Sequence, residues 1–242
     1  MRRESDRFAT THWSIVLAAG RDDAPEARQA MDSLCRVYWY PLYAYVRRLG
    51  YGSDDAQDSV QGFFTRLIEK GDVAMATAVR GRFRSFLLTS LKHFLCNEWD
   101  RAGAQKRGGG RIQVPITGDQ ADSRYSIEPA DALTPERLYE RQWAMTLLET
   151  VLTELAEQYA SAGKGRLFER LKPLLAGESA DESYASLAME FGMTASAIAM
   201  AVHRLRQRYR ALLRSRIAST VASDKEIEDE IRFLFDAVRG RD

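Results

Sequence analysis

Apolar residues recur along this chain at steps of three and four rather than two, so helices are predicted through most of it and strands almost nowhere. Leu34, Val37 and Tyr38 begin the pattern, and the run from Pro41 to Leu49 continues it. An interruption is expected at Pro41, because proline lacks the N–H that a helix interior needs. Ser53 or Asp54 suits the N-cap of a next helix, on which Ala56, Val60, Phe63, Phe64 and Leu67 form one apolar stripe, with Gly71 as its stop. After Gly81 the pattern returns in Phe83, Leu87, Leu91, Phe94 and Leu95. Near the N-terminus, Phe8 to Ala19 reads as a packing helix capped by Thr10 or Thr11.

The texture changes at Gly103. From there to Leu133 the chain carries Gly108, Gly109, Gly110, Pro115, Gly118 and Pro129 with little periodicity, which predicts a linker too long for a connection inside one compact domain. Thr134, Pro135 and Glu136 restart order as N-cap, first helical residue and first-turn acid. Two helices are predicted to end near Tyr159 and Leu175, with Gly163 and Gly165 between them. At the far end, Ile227, Ile231, Leu234 and Val238 align on an amphipathic helix within Ser223 to Arg239. That helix is expected either to close a core or to pack on the chain's own domains or a regulator and control access to a ligand.

The stretch from Glu182 to Leu213 has the pattern of a helix-turn-helix. Tyr184, Leu187 and Ala188 fall on the buried face of its first helix, Gly192 permits the tight turn, and Thr194 caps the second helix. Ile198, Val202, Leu205, Tyr209 and Leu212 form the core stripe of that second helix. At about 100° per residue, Ser196, Met200, His203, Arg204 and Gln207 then point the other way. Short groups early and arginines later suit a major groove, where the first read base edges and the second hold phosphates. A solvated amphipathic hairpin is the plain alternative.

Charge adds to this picture by its distribution. Lys and Arg number 35 against 34 Asp and Glu, a net charge of only +1. Yet Phe191 to Ser223 contains no acid while carrying Arg204, Arg206, Arg208, Arg210, Arg214 and Arg216. A second basic cluster joins Arg101, Lys106, Arg107 and Arg111. Segregated charge of this kind can attract nucleic acid to one face of a near-neutral molecule. Cys35 and Cys96 form no Cys-x-x-Cys pair and are expected to be buried thiols. His12, His93 and His203 lie in separate segments, so no metal-ligand spacing, cofactor motif or catalytic triad appears, and an enzyme is not expected. Without an apolar run of ~20 residues or a signal-like N-terminus, a cytoplasmic protein without membrane insertion is expected.

Three blocks carry a resemblance. Asp54 to Leu67 (DDAQDSVQGFFTRL), Gly81 to Arg107 (GRFRSFLLTSLKHFLCNEWDRAGAQKR) and the helix-turn-helix together resemble the extracytoplasmic-function (ECF) group of bacterial sigma factors, in order and separation. The resemblance covers roughly Leu34 to Arg107 and Leu138 to Arg216. It implies an all-α fold with two helical domains and a long linker. A region 2 helical bundle over 1–107 would bind core RNA polymerase and the −10 element, and 108–133 would be a flexible linker. A region 4 helix-turn-helix over 134–218 would bind the −35 element, followed by a helical extension over 219–242.

Carried over by residue, Asp55, Asp58 and Gln61 would contact polymerase. Arg84, Lys92, His93, Asn97, Arg101, Lys106 and Arg107 would face the −10 DNA, with Phe83, Phe86 and Phe94 in the core. Thr194, Ser196, Met200, His203, Arg204 and Gln207 would face the −35 DNA. Where many members have an Arg-Asn pair, this chain has Lys92 and His93. The implied partners are core polymerase, promoter DNA and an anti-sigma protein or other regulator. A free-standing helix-turn-helix regulator, dimeric and tight-binding alone, is the rival reading.

Overall fold

The computed structural model describes residues 25–69, 82–104, 121, 123–125, 133–176, 184–221 and 223–240, with side chains beginning at Cys35. Every regular element among the described residues is helical, as periodicity predicts. The helices are α1 (Pro25–Arg48), α2 (Ser53–Glu69), α3 (Phe83–Ala104), α4 (Pro135–Ser161), α5 (Gly165–Leu171), α6 (Tyr184–Phe191), α7 (Ala195–Ala218) and α8 (Ile227–Arg239), with 3₁₀ turns at Lys172–Ala176 and Asp224–Glu226. The expected helix at Phe8 to Ala19, the stop at Gly71, and Lys106 and Arg107 lie outside the described residues.

Two compact units divide the chain, one gathering residues up to Thr146 with those from Ile217 onward, the other spanning Leu147–Arg216. This division by packing differs from the segments expected to meet at 133/134 and 218/219. The start of α4 and all of α8 belong with α1, α2 and α3, for reasons that lie in long-range pairs described below.

In the first unit, α1 runs through Pro41 without a break. The lost hydrogen bond and ring clash of an interior proline cost about 3 kcal/mol or more. Burial outweighs that cost here, since Tyr38, Leu42, Tyr43, Ala44 and Val46 are all fully enclosed, and each large side chain contributes roughly 1.5–3 kcal/mol. The α2 stripe of Ala56, Val60, Phe63, Phe64 and Leu67 is buried throughout. Gly62 allows the close approach to α3, because a Cβ there would stand 3.3 Å from the Phe94 ring. Tyr38 meets Phe83 edge-on at 5.3 Å and Phe63 meets Phe94 at 5.9 Å, joining α1 and α2 to α3. The expected linker 108–133 lies largely outside the described residues, but its described piece is packed. Ala121 is buried, and the Arg124 guanidinium sits 4.1 Å from the Tyr40 ring centroid while donating to Gln142 and Thr146.

The second unit is built around Leu155, Tyr159, Phe168, Leu171, Leu174, Leu187, Ile198, Val202 and Leu205. Gly163 adopts φ +69° to turn the chain from α4 into α5, where a side chain would be strained. Arg206 donates to the Leu174 carbonyl at 2.6 and 3.2 Å and so ties α7 to the 3₁₀ turn.

Candidate nucleic-acid interface

α6 and α7 form the expected helix-turn-helix. Their axes bend by 101° across a three-residue break, within the range of about 90–120° for such motifs. Gly192 makes the turn at φ +61°, and the Met193 N–H reaches back to the Ala188 carbonyl at 2.9 Å. The Thr194 hydroxyl accepts from the Ala197 N–H at 3.1 Å, the N-cap read from the sequence. Leu187 and Ala188 are buried as expected, whereas Tyr184 is 40% exposed. It starts its helix one turn before the core contacts begin.

On α7, Ile198, Val202 and Leu205 are enclosed. Beyond them the buried positions are Leu213 and Ile217, with Tyr209 and Leu212 only half-buried. Burial pushes the Tyr209 hydroxyl up to about 12. Ser196, Met200, His203, Arg204 and Gln207 are all exposed on the opposite face, with Thr194 exposed at its head. The six arginines divide by task. Arg204, Arg208, Arg210 and Arg214 are exposed, while Arg206 holds the Leu174 carbonyl and Arg216 pairs with Glu154 at 2.6 Å. An acid-free exposed face with a cation-bearing C-terminal half is what remains.

In the first unit, α2 and α3 enclose an open cavity of about 210 Å³ lined by Phe63, Arg66, Leu67, Phe86, Ser90, His93, Phe94 and Asn97. Two expected strand-facing residues, His93 and Asn97, are exposed at its rim. Arg66 was not foreseen. Its guanidinium lies 5.9 Å from the Phe94 ring, and its buried Nη1 has no hydrogen-bond partner. The only signal for it is its place three residues after Phe63 on the same helix. Aromatic walls beside a cation, an imidazole and an amide can stack a planar ring and hydrogen-bond its edge.

The remaining expected positions separate. Asp55 and Asp58 are exposed and Gln61 half-buried on α2, opposite its apolar stripe. Arg101 lies on α3, which places its backbone only. Lys92 is ion-paired with Glu136 of α4 at 2.7 Å, and that contact raises the Lys92 pKa and lowers that of Glu136.

Arg84 is a correction. It is 4% exposed, so it does not stand on a strand-contacting face. It pairs with Glu230 of α8 at 2.7 Å and Glu140 of α4 at 3.2 Å, and lies 3.7 Å from the Phe233 ring centroid and 5.2 Å from that of Trp143. Its partner Glu230 lies 146 residues away in sequence, beyond the reach of any periodicity within α3. Cys96 is a second correction, since it is exposed rather than buried, and Cys35 is intermediate.

Among the described residues no group of three or more His, Cys, Asp or Glu is placed to hold a metal ion, and no single helix is long and apolar enough to cross a membrane. No protein-family model, curated protein or solved structure matches the chain.

Proposed function

We propose that this chain is a cytoplasmic sigma-type specificity subunit, which binds core RNA polymerase and directs it to promoters without catalysing a reaction or using a cofactor. The observation that carries the reading is the helix-turn-helix of α6 and α7. Its exposed face joins Ser196 and Met200 near the start of α7 to His203, Arg204 and Gln207 further on, an order suited to base edges first and phosphates after. The cavity between α2 and α3 supports a second DNA contact. Its Phe63, Phe86 and Phe94 walls and its Arg66, His93 and Asn97 groups fit an unstacked base from an opened duplex. Asp55 and Asp58, exposed at the start of α2, suit a basic partner surface on the polymerase.

The testing experiment is single-round transcription from a genomic promoter library with core polymerase, with and without the protein. Starts that appear only on addition are expected, and their aligned upstream sequences would give both elements. Tight, specific binding by the protein alone without new starts would replace this reading with the free-standing regulator.

A further inference from the structure

We propose that the chain carries an acidic mask over its own strand-facing helix. Glu136 of α4 occupies Lys92 of α3 and must leave it before a DNA strand can settle there. This inference rests on the proposed function.

The charge inventory of α3 carries it. Between residues 82 and 98 the chain has three Lys or Arg residues, Arg82, Arg84 and Lys92. Each is paired with an acid that lies beyond residue 133. Arg82 and Arg84 meet Glu230 at 2.7 Å each, Arg84 also meets Glu140, and Lys92 meets Glu136 at 2.7 Å. Glu136 and Glu140 stand one turn apart and so share a face of α4. Arg84 and Lys92 stand two turns apart along α3, about 12 Å at the helical rise.

The Arg84 pair is fixed and the Lys92 pair is exchangeable, so the mask is the Lys92 pair alone. Arg84 and Glu230 are 4% and 1% exposed, and removing either partner would strand a buried charge. Lys92 and Glu136 are 43% and 44% exposed, in reach of water and of an incoming anion. A solvent-exposed pair of this kind holds weakly. A phosphate offers Lys92 an equivalent charge and releases a counterion on arrival, while Glu136 regains its hydration. Lys92 precedes His93 of the cavity rim but points about 100° around α3 from it, so the cation that is freed would meet the backbone of a strand rather than a base in the cavity.

The test uses the full chain and a fluorescently labelled single-stranded DNA dodecamer of mixed A and T, titrated by anisotropy at low salt. Glu136→Gln keeps the volume of a half-exposed side chain, and far-UV circular dichroism checks its fold. It should bind the dodecamer about two- to fivefold more tightly than the unaltered chain, the range a weak exposed pair allows. Glu157→Gln makes the same change of net charge at an exposed position further along α4, and should gain nothing comparable. Adding Lys92→Met to Glu136→Gln should abolish the gain. Equal affinities for the Glu136 and Glu157 variants, a gain that survives loss of Lys92, or no binding by any variant would each overturn the mask. The transcription assay decides the broader reading separately, since new starts with an unaltered Glu136→Gln affinity would sink the mask and spare the sigma-type function.

Discussion

Glu230 sits at the point where the first unit is closed. Its carboxylate is 1% exposed and meets two guanidinium groups at 2.7 Å each, Arg82 and Arg84. Removing one partner of a buried pair typically costs about 3–5 kcal/mol, because the other charge is left without compensation. Two features reduce that figure here. Arg84 keeps Glu140 at 3.2 Å, and Arg82 is 35% exposed and can rehydrate. We therefore expect Glu230→Ala to destabilise the first unit by about 2–3 kcal/mol, below the usual range for such losses.

Urea unfolding followed by tryptophan fluorescence suits the measurement, since Trp143 is fully buried 5.2 Å from Arg84. Circular dichroism should be recorded alongside, because two units need not unfold together. With a slope of about 1–3 kcal/mol per molar urea, the midpoint should fall by roughly 0.7–3 M. Replacing both partners, Arg84→Met with Glu230→Met, should recover most of the loss, as apolar substitutes remove both desolvated charges. A loss under about 1 kcal/mol, or a double variant less stable than Glu230→Ala, would refute the claim that this ion pair holds α8 in place.

Other expectations are briefer. Gly192→Ala forces an alanine to φ +61° with nothing crowding its Cβ, so it should cost about 1–2 kcal/mol from backbone strain alone, read as a lower thermal midpoint. Arg204→Ala should leave stability unchanged but reduce the salt dependence of DNA binding by about one phosphate contact. Arg206→Ala should instead lower stability by about 1.5–3 kcal/mol, because its guanidinium satisfies the Leu174 carbonyl. A thiol reagent applied to the native protein should label exposed Cys96 before half-buried Cys35, mapped by peptide mass.

Local periodicity made much of the fold legible. The α2 stripe, the Thr134 and Thr194 caps and the Gly192 turn are short-range features, and each stands as read. The misreadings share a cause. Pro41 was expected to break a helix on local grounds, but the enclosed aromatic side chains around it hold the helix together. Arg84 reads as open from α3 alone because its partners Glu140 and Glu230 come from elements that no periodicity in α3 can announce. Arg124 falls in the segment expected to be a flexible linker, yet it docks on Tyr40. At the candidate interface, the exposure of the α7 residues follows from helix geometry, whereas Arg66 becomes visible only through the approach of α2 and α3 at Gly62.

The first unit is discontinuous in sequence: the Phe83 N–H bonds to the Thr220 carbonyl at 3.0 Å, and Arg84 awaits Glu230. During synthesis, then, α1, α2 and α3 leave the ribosome with a cationic, aromatic flank uncovered, and they wait for the whole second unit to be made before α8 can cover it. Contacts of such separation are slow to form, and a nascent chain holding an exposed flank of this sort is open to aggregation or to chaperone capture in the interval. Folding of this domain is thereby coupled to the synthesis of α8: a ribosome that stalls before residue 230 releases a chain that lacks its own closing helix.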